Sequence, residues 1–141
     1  MATVNTRFKS ECMTDSSQIF SVLSLVAGLQ IKHFICDGPL QTKAMVDSKS
    51  KYGDGLGIVH SAIHGIGTAV VLLLWLPAGI LLLGLAVLDF VVHYHTDYAK
   101  ENIVKRAGWT TSDAKFWWAL SADQTLHQLT YIVLTYLALT I

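Results

Sequence analysis

Residues 81–100 read LLLGLAVLDFVVHYHTDYAK. The stretch begins as unbroken hydrocarbon and then sets Asp89, His93 and Asp97 at steps of four. On a helix, four residues return to nearly the same face about 6 Å further along. The three side chains therefore form a polar ladder on an apolar surface. An acid at membrane depth costs roughly 2.5–3.5 kcal/mol on insertion scales. It needs a partner, a metal or a water-filled cavity, and that need constrains everything packed around it.

The rest of the chain fits the same environment. Of its 141 residues, 52% are hydrophobic and only 14% charged, where soluble domains carry about a quarter charged residues. Ten basic and ten acidic side chains cancel, so no global field recruits nucleic acid. The expected class is all-α: a polytopic membrane protein folded as one antiparallel bundle of four transmembrane helices.

Residues 1–17 form a polar segment with Arg7, Lys9, Glu11 and Asp15, and Thr14, Asp15 and Ser16 offer caps for the helix that follows. The membrane domain covers 18–141, with spans expected at 18–37, 58–76, 79–98 and 114–140. Small residues Val26-Ala27-Gly28 behind a basic lead suggest a signal peptide. Cutting there would discard half of the first span, so it reads as a transmembrane helix. Gly38-Pro39 stops that helix. Gln41–Gly57 is a polar connection with a short amphipathic turn around Met45, and Pro77-Ala78-Gly79 is a tight hairpin. Lys100–Ser112 is a basic loop, after which Thr110–Asp113 can cap the last helix. Trp75 at one end and Trp109, Trp117 and Trp118 at the other suit interfacial anchors.

Each span carries a polar pair at a step of four: His33/Asp37, His60/His64, Asp89/His93 and Asp123/His127. They lie at the end of span one, the start of two, the end of three and the start of four. In an up-down-up-down bundle those ends share one side. Lys43, Lys49, Lys51, Lys100, Lys105, Arg106 and Lys115 lie on that side, against Arg7 and Lys9 on the other. The positive-inside rule makes that side cytoplasmic in a multi-pass membrane protein.

Imidazole and carboxylate are the nitrogen and oxygen ligands of zinc, manganese and iron. Helix bundles build metal sites from such side chains on facing helices. The candidate ligands are His33, Asp37, His60, His64, Asp89, His93, Asp123 and His127. His60, His64, Asp89 and His93 form the expected core, since the tightest hairpin joins their spans. The others complete it or make a second site. Zinc is the first choice of divalent ion, with manganese or iron next. One histidine alone on an apolar helix is more often a hydrogen-bonding interior residue, Asp37 could simply cap its helix, and Asp123-Gln124-x-x-His127 could be an interhelical hydrogen-bond knot. Four pairs at one depth are what these plainer readings leave unexplained. Asp97, with Lys100 and Glu101, reads as a solvated helix exit and His95 as interfacial. Cys12 and Cys36 fall at opposite faces, so no disulfide is expected. Ser61/Gly65 is a small-xxx-small step suited to a close contact within the bundle.

KHFICDGPLQ at 32–41, HSAIH at 60–64, DFVVH at 89–93 and Asp123-Gln124-x-x-His127 together resemble a family of small membrane proteins from bacteria and their phages. It is known as domain-of-unknown-function family thirty-three-oh-seven. The resemblance covers residues 18–135 and implies a membrane fold with a shared polar site. Where the family has an aromatic after the first Asp, this chain has Gly38. More loosely, the His/Asp pattern is similar to inner-membrane proteins described as metal-dependent hydrolases.

Three functions follow as expectations. The first is metal-dependent hydrolysis of a lipid or lipid-linked ester, with the ion activating water and a His or Asp outside its first shell as base. The second is a proton or ion pathway. The third is a non-catalytic scaffold tied together by a polar or metal site. Residues 69–88 contain no ionisable group, which argues against conduction by a monomer. The partners implied are the lipid bilayer and a lipid-linked substrate, with self-association left open.

Overall fold

The computed structural model describes the backbone from residue 2 to 141 and the side chains from residue 16. Arg7, Lys9, Cys12 and the side chains of Thr14 and Asp15 lie outside that range; Cys36 is a buried free thiol. The described residues form α1 (Ala2–Asp37), α2 (Lys43–Ser48), α3 (Gly55–Leu72), α4 (Ile80–Ala107) and α5 (Ala114–Thr140), with no strand. α1 runs unbroken through 14–16, where a cap was expected.

Three helical segments are long and apolar enough to cross a membrane: Ser16–Asp37, Gly55–Leu72 and Ile80–Ala107. α5 has the length, but Asp123, Gln124, His127 and Gln128 dilute its apolar character. Exposed apolar side chains form the outer surface, among them Phe20 at 72%, Leu74 at 77% and Ile80 at 86%. A soluble monomer rarely exposes contiguous apolar surface on this scale, and a lipid environment removes the cost.

Helix ends depart from the expected spans for local reasons. Asp54 accepts a bond from the Leu56 backbone N–H and starts α3 at Gly55, so two glycines assigned to the connection belong to the helix. α3 ends at Leu72, and i→i+3 bonds at Leu74 and Trp75 tighten the chain ahead of Pro77. α4 continues to Ala107 and is stopped by Gly108 at φ 68°. The basic loop therefore shrinks to 108–113. There the Asp113 carboxylate accepts from both the backbone N–H and the hydroxyl of Thr110, which holds its acid below the usual carboxylate range. The connection after α1 contains α2, capped by Thr42, with Met45 buried.

α1 packs on α3 and α5, and α4 packs on the same two helices; α2 lies on α3. At one end the interior is hydrocarbon: Leu25, Leu29, Leu72, Leu82, Leu85 and Leu134. At the other it is polar. Two glycines permit the close approaches. A Cβ on Gly65 would sit 3.0 Å from the Ala86 carbonyl oxygen, and one on Gly67 would lie 2.7 Å from Cγ of Lys32. The first fulfils the small-xxx-small expectation for α3 against α4; the second admits a lysine to the interior.

Candidate metal centre

The step-of-four pairs meet. His33 and Asp37 come from the end of α1, His60 and His64 from α3, Asp89, His93 and Asp97 from α4, and Asp123 and His127 from α5. His60, His64, Asp89, His93 and His127 are at most 1% exposed, while Asp123, Asp97 and His33 are nearly as buried. The His64 and His93 rings stack at 3.5 Å, and His127 stacks on His93 at 4.1 Å. Helical periodicity accounts for this stack, since each ladder faces inward on its own helix.

Two groups have donor atoms close enough to share an ion: Asp37, His60, His64 and His93, and then His93, Asp97 and His127. Within the first, the donors all lie within 4.8 Å of one another. Nε2 of His60 is 3.1 Å from Nε2 of His93 and 3.2 Å from Oδ1 of Asp37, while Nε2 of His64 is 3.1 Å from the same Oδ1. A tetrahedral ion with bonds of about 2.0–2.1 Å has donor–donor edges of about 3.4 Å. The short contacts match that edge, and the wider ones need a small inward movement. In the second group, Asp97 Oδ2 lies 3.3 Å from Nε2 of His93, and Oδ1 lies 3.7 Å from Nε2 of His127. His93 belongs to both groups.

Hydrogen bonds orient Asp37. Lys32 Nζ donates to the Tyr131 hydroxyl at 3.1 Å, and that hydroxyl, with its oxygen so occupied, donates to His33 Nδ1 at 2.7 Å. The His33 proton then resides on Nε2, which faces two acceptors, Asp37 Oδ2 at 3.1 Å and Gln124 Oε1 at 3.0 Å. Both ring nitrogens of His33 are thus committed, and its role is to aim Asp37. This is the second-shell arrangement that metal ligands commonly have. Gln124 also donates to Asp123 at 3.2 Å, so the hydrogen-bond knot expected around Asp123 exists beside the centre.

Besides His33, which lies outside both groups, two more of the expected ligands have other neighbours. Asp89 accepts from Lys32 Nζ at 2.8 Å and from Thr68 Oγ1 at 2.6 Å. It lies outside both groups, and the ammonium and hydroxyl satisfy it. Asp123 also lies outside them, 3.5 Å from His127 Nε2.

Asp97 corrects the reading of a solvated helix exit. It is 4% exposed, because α4 continues more than two turns past it. It forms an ion pair at 2.8 Å with Lys49, itself 8% exposed and coming from the connection after α2. His95 does lie on an exposed face, hydrogen-bonded to Tyr52. Lys32 and Lys49 are the functional residues that sequence reasoning missed. Lys32 had a signal: a cation inside an apolar run must find a partner. Lys49 had none, since its burial depends on how the connection folds back.

Charge within the cluster is unbalanced. Direct lysine ion pairs serve two of the four acids, Asp89 with Lys32 and Asp97 with Lys49, while Asp37 and Asp123 meet histidines. With neutral imidazoles, two negative charges remain in a region where desolvation is costly. A divalent cation supplies the missing charge. The sequence reading had placed a divalent ion but no lysine among these acids; the structure adds two lysines.

A family model described as "Protein of unknown function (DUF3307)" matches residues 25–141. The chain belongs to this family. No curated protein and no solved structure matches the chain.

Proposed function

We propose that this is a four-span, antiparallel integral membrane protein of a bacterial inner membrane that binds a divalent metal near the cytoplasmic face. It would use the ion to hydrolyse a lipid or lipid-linked ester. The observation that carries the reading is the convergence of three imidazole Nε2 atoms and one carboxylate oxygen, from α1, α3 and α4, within 4.8 Å. The donors are nitrogen and oxygen only, which suits zinc first and manganese or iron next. The fourth span is α5, whose His127 and Tyr131 face the same interior as the other three helices.

When bound, the ion lowers the pKa of a water and polarises the ester. The chain's residues do the rest. Asp37, held by His33, fixes the donors of α1 and α3. His127, flanked by Asp97 and Asp123, would take the proton from water and return it to the departing alcohol. Water oxygen joins the acyl carbon or phosphorus as the ester bond to the alcohol breaks.

One observation favours a second reading. The chain from Lys32 through Tyr131 and His33 to Asp37 is a continuous hydrogen-bonded path, the kind that proton relays use. Beyond Lys32 the interior is leucine, so this path ends halfway. A non-catalytic scaffold has no separate observation in its favour.

The test is elemental analysis of protein purified without chelator. Near-stoichiometric zinc, manganese or iron, lost in His60→Ala, supports the centre. A metal-free protein that stays so after exposure to all three ions refutes it.

A further inference from the structure

Between α4 and α5, on the side where the centre lies, runs an open groove of about 550 Å3. That size falls within the range of about 300–1,000 Å3 typical of small-molecule sites. Its walls are apolar along most of their length, with Ile103 and Leu126 on facing helices and the small Ala119 and Ala122 leaving the space open. Trp109, Trp118, Lys100 and Lys115 stand along it. Asp123 also lines it. Asp123 is 3% exposed, and its Oδ1 is buried without a hydrogen-bond partner. The groove therefore adjoins the His/Asp centre at Asp123, which stands 3.5 Å from His127 Nε2.

The charges select the occupant. Lys100 is held by Glu101. Asp113 acts on Lys115 through space without an ion pair between them, and the Lys115 ammonium lies 5.8 Å from the centroid of the Trp109 ring. Trp118 is 70% exposed, as an indole at the headgroup level of a bilayer would be. Lysine beside indole at this level suits an anionic headgroup, while the apolar walls suit its acyl chain. We infer that this groove binds an anionic phospholipid of the bilayer, acyl chain between α4 and α5 and phosphate at Lys115. It is the entry by which a phosphate-bearing lipid reaches the centre as substrate. The substrate role rests on the metal-hydrolase reading; the binding does not.

The experiment uses the full chain in nanodiscs of phosphatidylglycerol and phosphatidylcholine. Native mass spectrometry counts retained lipid, and elemental analysis is run on the same samples. Phosphatidylglycerol should be retained in preference, and Lys115→Glu should reduce that preference by about fivefold or more with metal content unchanged. Ala122→Phe, which fills the groove, should lower retention of both lipids. Equal retention of the two lipids by the parent protein, or an undiminished preference in Lys115→Glu, overturns the inference. Preference without metal sustains the groove and refutes the hydrolase reading; metal without preference does the reverse.

Discussion

Two lysine–aspartate pairs lie in the interior, and they differ in what surrounds them. Lys32 and Asp89 meet at 2.8 Å between α1 and α4, and so do Lys49 and Asp97 between the α2–α3 connection and α4. The first pair is closed. Thr68 donates to the same Asp89 oxygen, and the lysine also reaches Tyr131 and lies 4.5 Å from its ring centroid. The second pair is open. Three histidines, His60, His93 and His127, stand within 3.7 Å of the Asp97 carboxylate, and its lysine comes from outside the long helices. A closed pair settles a buried acid and contributes to the fold. An open pair leaves an acid with several suitors, and the ammonium holds a place that a metal ion could take.

The largest effect should follow from breaking the closed pair. Lys32→Met leaves Asp89 buried and uncompensated, and loss of one partner from a buried pair costs about 3–5 kcal/mol. Thermal unfolding in detergent should show a fall of that order. Replacing both residues, with Lys32→Met and Asp89→Leu, should recover most of it, because apolar isosteres of a buried pair are close to neutral. The double variant also bears on the metal. Lys32 Nζ sits 3.5 Å from Nδ1 of His64. Ligation through His64 Nε2 needs its proton on Nδ1, facing that ammonium. The double variant should therefore bind zinc at least as tightly as the parent. If it loses its metal, either Asp89 is a ligand or the Lys32–Tyr131–His33 bonds are needed to hold Asp37; Asp89→Leu alone, which keeps Lys32, separates the two.

Removing a donor from the first group comes next. His60→Ala should abolish metal binding while the leucine end of the bundle, which shares no contact with His60, keeps the helices assembled. Circular dichroism should show unchanged helicity beside elemental analysis showing no metal. A variant that retains full metal would move the centre to the second group.

A smaller effect separates the open pair from the closed one. Lys49→Met removes the ammonium from Asp97 but leaves three imidazoles beside it to share a proton or an ion. The stability loss should be about 1–3 kcal/mol, in the range of one unsatisfied buried polar group, and added zinc should restore it. A loss as large as that of Lys32→Met, unrelieved by zinc, would make the two pairs equivalent.

Much of this was legible from residue spacing. Steps of four placed His33/Asp37, His60/His64, Asp89/His93 and Asp123/His127 on inward faces, because a helix in lipid has few other places for them. The turn around Met45 was equally plain, being set by local residues; the tight hairpin at Pro77-Ala78-Gly79 was not, since α3 already ends at Leu72 and the connection to α4 runs through 73–79, longer than the 108–113 turn between α4 and α5. The partners were not legible. That Asp89 would be taken by Lys32 depends on Gly67 clearing space for the lysine stem, a contact between helices that no local pattern encodes. Asp97 was misread because the helix end was placed near it, whereas an apolar face with Ile103 and Val104 carries α4 to Gly108. The apolarity of α5 is the one fold-level feature where composition pulls against packing.

The smallest expected effect concerns sidedness, and the closed and open pairs sharpen it. The positive-inside argument counts lysines and arginines near span ends. Lys49 is buried against Asp97 and is not a surface charge. Lys43 and Lys100 are paired with Asp47 and Glu101, but acids weigh little in the rule. The α1–α3 connection, the C-terminal part of α4 and the start of α5 still hold Lys43, Lys51, Lys100, Lys105, Arg106 and Lys115 at one end of the bundle, the end where the open pair lies. That end should be cytoplasmic. Single cysteines at Ser50 and Thr110, in a background lacking Cys12 and Cys36, should resist an impermeant thiol reagent in intact cells and react once the membrane is opened. Thr110 is exposed in the turn between α4 and α5, so its reactivity after opening is the control for access. Reaction of both sites from outside would invert the protein and place the His/Asp centre, Lys49 with it, on the outer side of the membrane. Reaction at one site alone would mean that α3 or α4, the two helices between the sites, fails to cross, and would reduce the bundle to fewer than four spans.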